Sequence, residues 1–265
     1  MFIKRYGTGQ QLYFGLHGWS GDHTTFTPLE KLLPANAALL SVDLPGFGAS
    51  PALSEYTLET VSREISKAIK QSGDQVTVIG NCSGGLLALV ALDLDAELQR
   101  FIKRLVLIDP FAYFPWYFSV FVSSSAGRYA YYSTFANPVG RWLTNLSLKK
   151  HRVEGASLTS SFTEVNHALT YRYLQMLYEI GHYTRFHHLR LPIDIVCGEK
   201  TFGAIRTSAR LWQSIWPQAR QFELKGAGHL PIEEAAVRLS EIIFEHRIGE
   251  TVRSSATRSE RPQFV

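Results

Sequence analysis

The sequence predicts an α/β fold, a mostly parallel sheet with helices on both faces. Two observations carry this. Short, continuous apolar runs recur along the chain, as buried parallel strands require, and amphipathic stretches with apolar residues at helical spacing separate them. A third observation is an interruption. Residues 111–190 show no strand pattern yet hold 18 of the chain's 33 Phe, Trp and Tyr residues, so an aromatic-rich helical insertion is expected there.

The elements follow in order. "QLYFGL" (11–16) reads as a strand and "FTPLEKLL" (26–33) as a helix. "AALLSVDL" (37–44) is a strand, and "LETVSREISKAIKQ" (58–71) a helix. "QVTVIG" (75–80) is a strand leading into a helix over 84–94, and "RLVLID" (104–109) is the next strand. Within the insertion, "EVNHALTYRYLQMLYEI" (164–180) reads as a helix. After it come "IDIVCG" (193–198), a helix over 203–216, "RQFELK" (220–225) and a last helix over 231–246. Parallel strands joined by helices give right-handed crossovers. The expected organisation is a core of residues 1–110 and 191–247, a helical cap of 111–190, and a polar, unpatterned, disordered tail of 248–265.

Bulk properties narrow the function classes. A chain of 265 residues suits one globular domain with an insertion. The net charge of +4 is mild, with no basic block, so neither nucleic acid nor an anionic membrane is indicated as a partner. Two cysteines make no disulfide framework. No secretory pattern and no apolar run of roughly 18 residues is present, which leads to the expectation of a cytoplasmic protein without a membrane span.

Chemistry concentrates at "GNCSGG" (80–85), between a strand and a helix. This strand–turn–helix setting is what a G-x-S-x-G nucleophile elbow requires, with Cys82 where serine usually stands. Residues two before and two after the nucleophile must be small so that strand and helix can approach. The N-terminus of the following helix favours a thiolate there. The other reading of Cys82 is a small buried side chain. Cys197, at the end of an apolar strand, reads as core.

Three further stretches stand in order around the elbow: "LHGWSGD" (16–22), "VDLPGFGAS" (42–50) and "KGAGHLPIEEAAVRL" (225–239). With the elbow and the insertion they resemble the α/β-hydrolase superfamily over about residues 1–247. The resemblance implies Cys82 as nucleophile and His229 as general base. It implies the amides of Trp19 and Ser83 as the oxyanion hole, where losing one donor typically costs about 2.7–4 kcal/mol. His17 would brace its loop and Asp43 its turn.

The sequence departs from the family at "VCGEKTFGAIR" (196–206). There a catalytic acid usually stands in a "GEKD"-like pattern, and this chain has Thr201. Three replacements stay open: Asp109 at the end of the preceding strand, Glu199 as the alternative acid, or a Cys–His dyad with no carboxylate. A thiol ionises more readily than a hydroxyl, which makes the dyad chemically reasonable.

The aromatic insertion is expected to line an apolar pocket above Cys82. Hydrolysis of an ester, lactone or thioester with a hydrophobic acyl group follows, through a cysteinyl acyl-enzyme. The substrate is then a small acyl compound, free or linked to CoA or acyl carrier protein, and no cofactor or metal is implied. Superfamily esterases that cleave acyl-carrier methyl esters have a similar "HGW" loop. Dienelactone hydrolases and polyester synthases share the G-x-C-x-G elbow. Acyl transfer by the same Cys–His site, or ligand binding without catalysis, are the other readings.

Overall fold

The computed structural model describes residues 1–122 and 125–245. Residue 246, the last of the final expected helix, and the tail lie outside them. The strands are β1 (Ile3–Tyr6), β2 (Gln11–Leu16) and β3 (Ala37–Val42). After α1 (Leu58–Ser72) come β4 (Val76–Asn81), α2 (Ser83–Leu94) and β5 (Ile102–Ile108). Between β5 and the next strand lie α3 (Trp116–Val122), α4 (Ser125–Tyr131), α5 (Pro138–Ser147) and α6 (His167–Tyr178). The chain then forms β6 (Ile193–Gly198), α7 (Gly203–Ile215), β7 (Arg220–Leu224), α8 (Pro231–Glu234) and α9 (Ala236–Phe244).

The seven strands form one sheet in the order β1-β3-β2-β4-β5-β6-β7. All neighbours are parallel except β1, which pairs antiparallel with β3. The α/β expectation therefore stands. β1 escaped the sequence reading because it is short and three of its four residues are exposed, so it carries no apolar run.

The pleat sorts successive strand residues to opposite faces. Leu105 and Leu107 of β5 pack with α1, α2 and α7, while Val106 and Ile108 pack with α9 and the 23–32 segment. Each fully buried Leu, Ile or Val contributes about 1.5–3 kcal/mol relative to exposure. The 23–32 segment is a 3-10 run rather than the expected α-helix. Pro28 lies inside it and has no amide proton to donate. The last helix breaks at Ala235 into α8 and α9.

A buried ionic cluster ties the sheet edge to the C-terminal helix. Asp194, 1 % exposed, accepts from Arg104 Nη1 at 2.9 Å and from Arg220 Nε at 2.6 Å. Arg104 also bonds Glu245 Oε1 at 2.9 Å and the carbonyls of Ile242 and Ile243 at the end of α9. The arginine's donors thus satisfy the carbonyls that a helix C-terminus leaves without partners.

Candidate active site

The elbow forms where β4 meets α2. Cys82 has φ 50° and ψ −115°, a conformation that L residues adopt only under constraint from their surroundings. The constraint is visible in the glycines. A Cβ on Gly84 would overlap the carbonyls of Leu16 and His17, and one on Gly80 would overlap the Gly85 backbone. The Cys82 amide donates to Ile108 O at 2.8 Å, which fixes the turn to β5. Cys82 lines the cavity above the sheet, whereas Cys197 lies buried in β6, where burial pushes its thiol up.

The loop after β2 runs against this turn. A Cβ on Gly18 would sit 3.4 Å from that of Cys82, so the Gly18–Trp19 backbone borders the thiol. Ser83 is the first residue of α2, where an amide has no carbonyl partner within the helix. His17 is fully buried: its Nδ1 donates to Gly18 O at 2.8 Å and its Nε2 accepts from Leu44 N at 3.0 Å. Burial lowers its pKa, in keeping with a neutral brace. Trp19 Nε1 donates to Thr170 O at 2.8 Å, and its ring packs edge-on to Phe135 and Phe162. The loop is thereby fastened to the insertion.

His229 follows β7. Its Nδ1 donates to Asp109 Oδ2 at 2.8 Å. Its own amide donates to His151 O at 2.8 Å, and Glu234 accepts from Gly228 N and from Val153 N. Burial pushes the imidazole down, but the Asp109 hydrogen bond and the Cys82 thiol outweigh it and raise it to about 10. The carboxylate is therefore bonded to this imidazole, and Cys82 lines the same chamber as the ring.

Asp109 is wholly buried, with φ 47°. Gly198 N donates to its Oδ1 at 3.0 Å, and Thr201 Oγ1 donates to its Oδ2 at 2.6 Å. Thr201 Oγ1 also lies 3.3 Å from His229 Nδ1. Glu199, the alternative acid, is turned away. It accepts from Gly226 N at 2.8 Å and pairs with Lys225, which holds its carboxyl below the usual range. The short β6–α7 turn directs it to the rim of β7, so the expectation of Glu199 beside the histidine is corrected. A carboxylate-free dyad is likewise not the arrangement found.

Sequence reasoning missed the second layer. The rings of Phe202 and Phe111 flank His229 at 4.6 and 6.2 Å, and His151 supplies the carbonyl that holds its amide. Only the aromatic richness of the insertion hinted at this. Among the described residues, one acidic and histidine group, Asp22, His23 and Asp43, has metal-like spacing. Asp43 instead accepts from the His23 ring and from the amides of His23 and Ala49, so it serves the turn.

Two chambers meet at Cys82. The narrow one, about 80 Å³, is lined by Leu86, Phe114, Leu174 and Leu177. The wide one, about 680 Å³, reaches His229 and is rimmed by Thr144, Ser147, His151 and Ser157. Trp19, Phe111 and Phe118 stand between them.

A family model described as "Alpha/beta hydrolase family" matches residues 15–242, spanning the elbow, Asp109 and His229. The chain belongs to this family. Among solved structures, an esterase from Thermogutta terrifontis has TM-score 0.71 at 18% identity, covering 97% of this chain and 94% of that one. An enol-lactonase from Burkholderia xenovorans has TM-score 0.72 at 15% identity, covering 92% and 95%. At these identities the likeness shows the fold. A pimeloyl-[acyl-carrier protein] methyl ester esterase of Aeromonas salmonicida is 34% identical over 88 residues, 32% of this chain. The match spans about a third (33%) of that relative's length.

Proposed function

We propose that the protein hydrolyses esters or thioesters with a short apolar acyl group, using Cys82, His229 and Asp109. The observation that carries this is the 2.8 Å bond from His229 to Asp109, on an imidazole that lines the same chamber as Cys82. A degenerate elbow kept for packing alone has no need of a buried carboxylate on the histidine.

The bond to Asp109 supports His229 as the base that takes the Cys82 proton as the thiol attacks. Cys82 Sγ attacks the acyl carbon and forms a C–S bond, and the carbonyl π electrons move to oxygen. The amides of Trp19 and Ser83 hold that oxyanion. As the tetrahedral species collapses, the bond to the leaving oxygen or sulfur breaks and His229 gives it a proton. A water then loses a proton to His229 and attacks the acyl-enzyme. The C–S bond breaks, the acid leaves and His229 returns its proton to the departing sulfur. Asp109 stabilises the imidazolium in both halves without taking a proton.

The narrow chamber suits the acyl group, since its lining is apolar and its room is that of a few carbons. The wide chamber suits the leaving group and the incoming water. The insertion acts as a cap that closes both chambers over the thiol. A carrier-linked substrate agrees with the name of the esterase relatives.

The test is intact mass spectrometry with p-nitrophenyl esters and aryl thioesters of short acyl chains. A transient adduct on Cys82 that decays in water, absent in Cys82→Ala, is the expected result. Product formation by Cys82→Ala at the wild-type rate overturns the assignment, as does a stable adduct that only an added alcohol or thiol releases.

A further inference from the structure

Helix α5 faces outward with the wrong side for a globular protein. Val139, Trp142, Leu143 and Leu146 recur at i, i+3, i+4 and i+7, so they share one side of the helix. They are 63, 63, 52 and 50 % exposed, and no residue of α5 is buried. Thr144 and Ser147 of the helix, with Leu148 at its C-terminal cap, line the wide chamber beside the stripe. An apolar stripe turned to solvent loses stabilisation unless something covers it.

The charge of the chain says what covers it. Segment 111–190 carries eight Lys and Arg against three Asp and Glu, while the rest of the chain carries 19 against 20. The mild net charge therefore averages a basic insertion with a neutral core. Lys149 and Lys150 follow the stripe directly, both exposed and, among the described residues, without an ion pair. Exposed Arg128 lies over the ring of Tyr132, in the turn on which α5 packs.

A tryptophan-bearing apolar stripe with lysines at its end is the arrangement of a helix lying in a lipid–water interface. We infer that the protein adsorbs to anionic lipid surfaces through α5, with Val139, Trp142, Leu143 and Leu146 in the headgroup boundary and Lys149 and Lys150 on the anionic headgroups. A second copy of the chain fits less well, because two such faces would bring like charges together. Adsorption this way sets the wall of the wide chamber at the interface. It does not depend on the chemistry proposed for Cys82.

The experiment is sedimentation of the full chain with vesicles of phosphatidylcholine alone and with roughly one third phosphatidylglycerol. Binding to the anionic vesicles is expected at low ionic strength, weakening as salt rises. Lys149→Glu with Lys150→Glu, and separately Trp142→Ser with Leu143→Ser, each lower the partition coefficient about tenfold or more. Both variants keep the wild-type circular dichroism and turnover of a water-soluble ester, and Cys82→Ala binds vesicles like wild type. Wild type that stays in the supernatant with anionic vesicles overturns the inference. So does a lipid-free dimer in analytical ultracentrifugation that Trp142→Ser abolishes, which would assign the stripe to a second copy.

Discussion

Thr201 and His229 share one oxygen: both donate to Oδ2 of Asp109, at 2.6 and 2.8 Å. The threonine occupies the strand end where a "GEKD"-like acid was expected, and it serves the carboxylate that stands one strand away. Asp109→Asn removes the charge that holds the imidazolium, and kcat for ester hydrolysis is expected to fall about 10²–10⁴-fold. An unchanged kcat would show that Asp109 only supports the β5 turn.

The same relationship makes a swap possible. Thr201 Oγ1 lies 3.3 Å from His229 Nδ1, so a carboxylate built there is within reach of the ring. The double variant Asp109→Asn, Thr201→Asp is expected to recover activity over Asp109→Asn alone, by about tenfold. Thr201→Asp by itself sets two buried carboxylates together and lowers stability. Steady-state kinetics and urea melts of the three variants decide it, and a double variant no better than Asp109→Asn refutes it.

The pH behaviour of His229 follows from its raised pKa. In the unfolded chain the ring titrates near 6.5, and in the fold near 10. Its contribution to stability is thus fully present below pH 6.5 and is lost as the pH rises through about 10. Asp109→Asn and Cys82→Ala each lower the folded midpoint. NMR titration of the His229 ring reads this directly. A wild-type midpoint below 7 would show that Asp109 and Cys82 do not hold the ring's proton.

Asp194 is a stability residue remote from the site. Asp194→Ala leaves the buried Arg104 guanidinium without its buried carboxylate, with Glu245, half exposed, as its remaining acid. A loss of about 3–5 kcal/mol is expected in urea unfolding, the range for breaking a buried pair. A change under about 1 kcal/mol would mean that water replaces the carboxylate.

Gly84→Ala tests the elbow. The added Cβ meets backbone carbonyls of Leu16 and His17 that cannot swing aside. About 1–3 kcal/mol of stability is expected to go, together with most of the activity. Wild-type melting and turnover would show that the β4–α2 approach has slack.

The sequence by itself determined the local chemistry: the strands that read as continuous apolar runs, the elbow with its glycines, the bracing role of His17 and the aromatic insertion. These are legible because period, steric need and residue type are properties of a few neighbouring positions. It missed β1, whose exposed edge has no such period, and it read a helix through Pro28. The tertiary structure alone shows which of the two carboxylates, Asp109 or Glu199, bonds to His229. That choice depends on where two strand ends lie relative to a loop 120 residues from Asp109 in sequence. Neighbours along the chain do not encode such a distance, whereas the parallel register of β5 on β6 does. The direction of the α5 stripe was likewise settled by packing. The spacing of Val139, Trp142, Leu143 and Leu146 is the same whether the helix faces a core or the outside.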